Sequence, residues 1–264
     1  EKQQGLKKRG PSGFQIAGST NVSIRNCSST LNPFDGIYLK DSPGTTISHS
    51  VLNSNDVAGI AIISDDIVMH SNQISTNKAA GILVYGNNTS LTDNRITRNT
   101  GRGILVDAVS GGTAFNNLII NTRNIEMTQN PEQMSWNVSP RSNLSITGRN
   151  LSGGNYWGNP DGKGFSDTCE PDKEAFCTLP AEHPGGATDY HPLAQKLLSS
   201  PVSGETESHH SFGDLNHNGR EDMHDVVLLM ELISDSHANP EYYFSNDGNV
   251  NLHDVFTIFL RISV

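Results

Sequence analysis

Oxygen-bearing side chains near the C-terminus recur at a spacing that fits a hard cation. In Asp214-Leu-Asn-His-Asn-Gly-Arg-Glu-Asp-Met-His-Asp225, the residues Asp214, Asn216, Asn218, Asp222 and Asp225 take positions 1, 3, 5, 9 and 12 of a calcium loop. Oxygen ligands so placed wrap Ca²⁺, Gly219 at position 6 permits the sharp turn, and position 7, here Arg220, supplies its backbone carbonyl. The pattern returns 29 residues later as Ser245, Asp247, Asn249, Asn251 and Asp254 around Gly248. Position 1 is then Tyr243, and a phenol is a poor Ca²⁺ ligand. One sound site and one degenerate site are expected. Each loop runs into an apolar stretch, 226–233 and 255–262, that reads as a helix.

A second chemistry needs carboxylates gathered on one face. Cleaving a glycosidic bond takes paired acids, or an acid–Ca²⁺ site beside a basic residue. Asp65 and Asp66 are adjacent, and Asp93, Arg95 and Asp107 lie within two repeats of the pattern described below. The preferred reading of Asp65, Asp66 and Asp93 is that of turn and surface residues. Copper would need clustered Met, His or Cys. Cys27, His49, Met69 and His70 fall at different places in the repeat, so no copper site is expected. Cys169 and Cys177 enclose a short loop with no His at zinc spacing, which reads better as a disulfide than as half a metal site. That places the chain outside the cytosol. Sequons at Asn21, Asn26, Asn87, Asn88, Asn137, Asn143 and Asn150 agree with export.

These residues hang on a repeat. Gly followed by a large apolar residue recurs at Gly13, Gly36, Gly59, Gly81 and Gly103, with steps of 23, 23, 22 and 22. Asn32, Asn55, Asn77, Asn99 and Asn121 keep the same phase, as do Leu52, Ile74, Ile96 and Leu118. Within each unit the apolar residues alternate, as in short strands. Three strands and three turns per unit fit one coil of a right-handed parallel β-helix. Phe14, Ile37, Ile60, Ile82 and Ile104 should then stack inside at about 4.8 Å per coil. The Asn column should pair amide to amide at a corner. A sixth coil is expected at 124–127, with a return strand at 143–147. Outward-facing Tyr38, Ala61, Leu83 and Leu105, beside Ile63 and Tyr85, form an apolar row. Either residues 150–195 fold over it, or Tyr38 and Tyr85 stack on a sugar.

The closing stretch Gly153-Gly-Asn-Tyr-Trp-Gly-Asn-Pro-Asp-Gly-Lys-Gly-Phe-Ser-Asp-Thr-Cys169, with Thr188-Asp-Tyr-His-Pro-Leu-Ala194, resembles that of the NosD-type right-handed β-helix family of surface proteins. The likeness spans about 10–195. Pectinase-type hydrolases of this fold carry NTD and GHG motifs, and neither occurs here. Residues 212–264, two loop–helix units with Asp at each position 12, resemble a type I dockerin. The resemblance implies a cohesin-bearing partner, read by Met223 and His224 in one loop and by Leu252 and His253 in the other.

Charge agrees with this division. The chain carries −10, and 205–264 holds eleven acidic residues against two basic ones. The near-neutral remainder offers no basic surface for nucleic acid. No apolar run reaches the length of a membrane span. The chain starts at Glu1, which reads as a mature or excised piece. Sequence therefore predicts a mainly β parallel β-helix over 1–195, irregular from about 128, a linker at 196–211, and a small α-helical calcium-binding domain at 212–264. The expected protein is extracellular or at the cell surface, associates with polysaccharide without cleaving it, and attaches through Ca²⁺ and a cohesin. The alternative is a polysaccharide lyase or glycoside hydrolase using Asp65, Asp66, Asp93 and Asp107.

Overall fold

The computed structural model describes residues 11–107, 110–128 and 134–195, together with Val226, Leu229, Met230 and Val255. The chain divides into two compact units, Glu1–Leu197 and Leu198–Val264. The calcium loops, 214–225 and 243–254, and the proposed partner-reading residues lie outside the described residues. Val226, Leu229, Met230 and Val255 are helical.

The first unit is a parallel β-solenoid of three sheets. The first sheet stacks β1 (Phe14–Ala17), β4 (Ile37–Lys40), β7 (Ala58–Ile63), β10 (Ala80–Val84), β13 (Arg102–Val106) and β16 (Ile125–Met127). The second stacks β2 (Ser23–Arg25), β5 (Thr46–Ser48), β8 (Val68–His70), β11 (Thr89–Thr92) and β14 (Gly112–Phe115). The third stacks β3 (Ser28–Thr30), β6 (Val51–Asn53), β9 (Gln73–Ser75), β12 (Arg95–Thr97), β15 (Leu118–Ile120) and β19 (Tyr156–Gly158). Strands this short pair only with equivalents one coil away, so side chains of one kind fall into columns.

The columns are those the repeat demands, with one correction: Ile119, not Leu118, follows Ile96, and Leu118 pairs with Arg95 and packs outside the core. Phe14, Ile37, Ile60, Ile82, Ile104 and Ile125 are successive register partners. Ile24, Ile47, Met69, Leu91 and Ala114 fill the second wall. Leu52, Ile74, Ile96, Ile119 and Trp157 fill the third. All but Phe14, which is half-buried and packs against it, belong to one buried core. Burying a side chain of this size contributes roughly 1.5–3 kcal/mol.

The corners satisfy the backbone between strands. The Nδ2 groups of Asn32, Asn55, Asn77 and Asn99 donate to the Oδ1 of the Asn one coil on, at 2.8, 2.9, 2.9 and 3.2 Å, ending at Asn121. The repeated glycines exist for this ladder: a Cβ on Gly36 would stand 2.8 Å from Asn55 Nδ2 and 2.6 Å from the Gly59 carbonyl. A second ladder runs through Asn72, Asn94, Asn117 and Asn155, with Nδ2–Oδ1 distances of 2.9, 3.0 and 2.8 Å. Backbone NH groups follow the same course, from Cys27 to Ser50 Oγ and from Ser50 to Asn72 Oδ1. Cys27 thus sits at the foot of this ladder and packs against the core.

The last coil departs from expectation. β16 confirms the sixth coil, but 143–147 forms no strand. Instead β17 (Arg141–Ser142) pairs antiparallel with β18 (Leu151–Ser152), and Gly148 NH turns back to the Ser145 carbonyl at 2.8 Å. The excursion leaves the solenoid and re-enters at Asn155, 38 residues after the preceding ladder Asn. The apolar residues of the closing segment, Tyr156, Phe176 and Leu193, pack with Leu118 and Ile120 on the outside of the third sheet. They do not cover the outward row of the first sheet, contrary to expectation. That row (Tyr38, Ala61, Leu83, Leu105) forms its own buried cluster with Ala58 and Ala80. The Cys169–Cys177 disulfide is formed, with Cα atoms 5.5 Å apart.

Candidate functional site

The corner between the first and second sheets gathers the residues with most chemistry. Tyr85 follows β10 directly, where its NH donates to the Ile62 carbonyl at 2.8 Å and so fixes it one coil above Ile63. Asp107 holds the next level, its NH on the Val84 carbonyl at 3.0 Å. Beyond these ends the chain turns. Asp41, Ser64 and Gly86 open three successive turns, and Asp41 NH donates to the Ile63 carbonyl at 3.0 Å. Between the turns lies an open pocket of about 200 Å³ lined by Asp41, Ile63, Ser64, Asp65 and Tyr85, among others. Tyr85 is 39% exposed, whereas Tyr38 is 7% exposed and lies in the outward cluster. One aromatic ring and two carboxylates therefore share a concave surface, while the second predicted sugar platform, on the outer face, is buried among its neighbours.

The four candidate acids are all engaged between coils. Asp65 Oδ1 accepts from Asn87 NH at 2.7 Å, and Asp66 Oδ1 accepts from Asn88 Nδ2 at 2.7 Å. Asp93 Oδ1 accepts from Asn116 Nδ2, and Asp107 Oδ1 from Thr128 Oγ1. Asp66 and Asp93 both have a φ of 58°, a left-handed turn conformation that Asp and Asn tolerate better than most residues. Asp93 sits at the corner between the second and third sheets, so the structure splits the four acids between two corners. Asp41, which the sequence did not single out, joins Asp65 instead. The signal for it was its place one turn before Asp65 in the repeat.

At the end of the solenoid the two quoted motifs meet. Asp189, in the short strand Thr188–Asp189, accepts at Oδ2 from Asn155 NH at 2.7 Å and Trp157 Nε1 at 2.9 Å, and at Oδ1 from His191 NH at 3.0 Å. It is the last post of the second ladder. Burial nevertheless raises its carboxyl pKa to about 6. The His183 ring lies 4.0 Å from the Trp157 ring, and burial lowers its pKa to about 4.

A copper centre needs soft or imidazole ligands brought together. Met69 is wholly buried in the core and Cys27 Sγ donates to the Arg25 carbonyl. His49 and His70 face each other edge to face at 5.4 Å. Among the described residues no group of three His, Cys, Asp or Glu could hold a metal. The described residues do not fit a copper centre. No helix among them is long and apolar enough to cross a membrane.

Stacked parallel coils with Asn-lined corners and a motif-built end define a β-helix protein. The family model described as periplasmic copper-binding protein (NosD) matches residues 3–162, and the chain belongs to the NosD family. That description puts the family in the cell envelope, in agreement with the disulfide. No curated protein and no solved structure matches the chain.

Proposed function

We propose that the protein is a non-catalytic β-helix of the cell surface that holds a carbohydrate at the Tyr85 corner. Its second unit, on this reading, is a dockerin-like module that binds a cohesin through Ca²⁺-ordered loops. The observation that carries the first part is the pocket joining Tyr85 to Asp41 and Asp65. An aromatic face takes the apolar side of a pyranose, and carboxylates accept from its hydroxyl groups. The interlocking of Asp65, Asp66, Asp93 and Asp107 with the next coil supports a turn role over a catalytic one. The second part rests on ligand spacing: Asp214, Asn216, Asn218, Arg220, Asp222 and Asp225, with the weaker set Ser245, Asp247, Asn249, Asn251 and Asp254.

A glycan array followed by titration of the best hit tests the corner. Tyr85→Ala is expected to weaken binding roughly tenfold, as loss of a central aromatic contact does. Unchanged affinity in Tyr85→Ala refutes the site. Release of new reducing ends or unsaturated products, abolished by Asp65→Ala, favours the lyase or hydrolase instead.

A further inference from the structure

We propose that a second pocket, in the closing segment, binds the carboxylate or sulfate ester group of an acidic sugar. The proposal rests on the carbohydrate reading above but uses none of the Tyr85 corner. The pocket has a volume of about 370 Å³, within the roughly 300–1,000 Å³ typical of small-molecule sites.

Two tied-down turns make its walls. Arg149 belongs to one: its carbonyl accepts from Ser145 NH at 2.6 Å and its NH donates to Ser145 Oγ at 3.1 Å. Lys173, Glu174 and Ala175 belong to the other, inside the loop closed by the Cys169–Cys177 disulfide. There Asp172 Oδ1 accepts from the NH groups of Glu174 and Phe176 at 2.8 and 3.0 Å, and the Ala175 carbonyl accepts from Ala194 NH at 3.1 Å. Neither wall needs to be ordered by a ligand.

The charge of the lining points to an anion. Arg149 Nε is shielded from solvent and has no hydrogen-bond partner. An N–H of a guanidinium cation left without an acceptor costs free energy, and an oxyanion in the pocket supplies that acceptor once the Arg149 side chain turns to meet it. The guanidinium fork matches the spacing of carboxylate and sulfate oxygens. Lys173 adds a second positive charge against the one negative charge of Glu174, so the lining is net positive in a unit that is otherwise near neutral. Gly148 borders the pocket, and a Cβ built on it would meet nothing within 4 Å, so this side is open. Carboxylate and sulfate share this chemistry, and the ligand series separates them.

Calorimetric titration of the full chain with trigalacturonate, a heparin-derived hexasaccharide and neutral cellotriose tests the proposal. At least one acidic ligand should bind more tightly than cellotriose. Arg149→Gln should weaken that binding by roughly 10- to 100-fold, the range for one charged hydrogen bond. Lys173→Ala, at an exposed position, should weaken it severalfold, and Glu174→Gln should strengthen it. Arg25→Gln, at an exposed position of β2 that lines neither pocket, should leave it unchanged. Acidic ligands that bind Arg149→Gln and Lys173→Ala as well as the parent chain overturn the proposal. If binding falls only with Tyr85→Ala, the corner reading stands and this one fails; if only with Arg149→Gln, the reverse holds.

Discussion

Trp157 touches two buried groups whose protonation works in opposite directions. Asp189 has its pKa raised from 3.8 to about 6, so the folded state holds the proton more tightly than the unfolded chain. Stability from this source is present at low pH and falls as pH rises from about 4 to 6. His183 has its pKa lowered from 6.5 to about 4, so the unfolded chain takes up the proton first. Its contribution is present near neutrality and falls as pH drops from about 6.5 to 4. The two largely cancel in the parent protein. His183→Asn should therefore lose stability as pH rises from about 4 to 6, and Asp189→Asn should gain it over the same interval. Each change is on the order of 2–3 kcal/mol at most. Denaturation midpoints between pH 4 and 7 check this; parallel curves for the three proteins would refute it. None of this was legible in the sequence. Asp189 and Asn155 are 34 residues apart, and only the folded end makes the tryptophan motif and the Thr188–Ala194 motif a single site. Tyr85 and Asp65 were legible as candidates because the repeat fixes their level. Their company was not, since Asp41 arrives from a neighbouring coil.

At the scale of the element, the corners matter as much as the core. Asn94 Nδ2 donates to the Met69 carbonyl at 3.0 Å and to Asn117 Oδ1, while its own Oδ1 accepts from both nitrogens of Asn72. Asn94→Ala leaves several of these buried groups unpaired, each costing about 1–3 kcal/mol. A loss of roughly 2–4 kcal/mol is expected in urea unfolding, against almost nothing for exposed Asn150→Ala. Equal, small losses in both would mean that water replaces the ladder freely. The first ladder could be read directly, because its Asn recurs without a break from Asn32 to Asn121. The second could not. Ser50 and Cys27 stand at its lower levels, and its upper step lengthens to 38 residues. The return strand foreseen at 143–147 failed for a related reason: apolar alternation there is satisfied by a turn, with Ile146 packed against the closing segment.

For the whole molecule, the decisive question is the second unit. It carries nearly all of the chain's net negative charge, −9 of −10, and on the proposed reading a small domain with that much repulsion closes on a bound cation. Far-ultraviolet circular dichroism in EDTA should show helix that grows on adding Ca²⁺, with the β signal of the solenoid unchanged. Asp214→Ala should abolish the gain and Ser245→Ala should reduce it little, because the proposed reading places Asp214 in the loop with the complete ligand set. Helicity indifferent to Ca²⁺ would remove the metal from the account. The solenoid carries a different consequence. Each coil offers its neighbours the same apolar columns below and above, and the same amide sockets at the corners. The long step from Asn117 to Asn155 shows that a coil accepts a detour, provided the chain returns to the waiting socket. An in-frame duplication of one unit would thus add a storey of about 4.8 Å without altering either end. Length is the property most easily inherited in variable form.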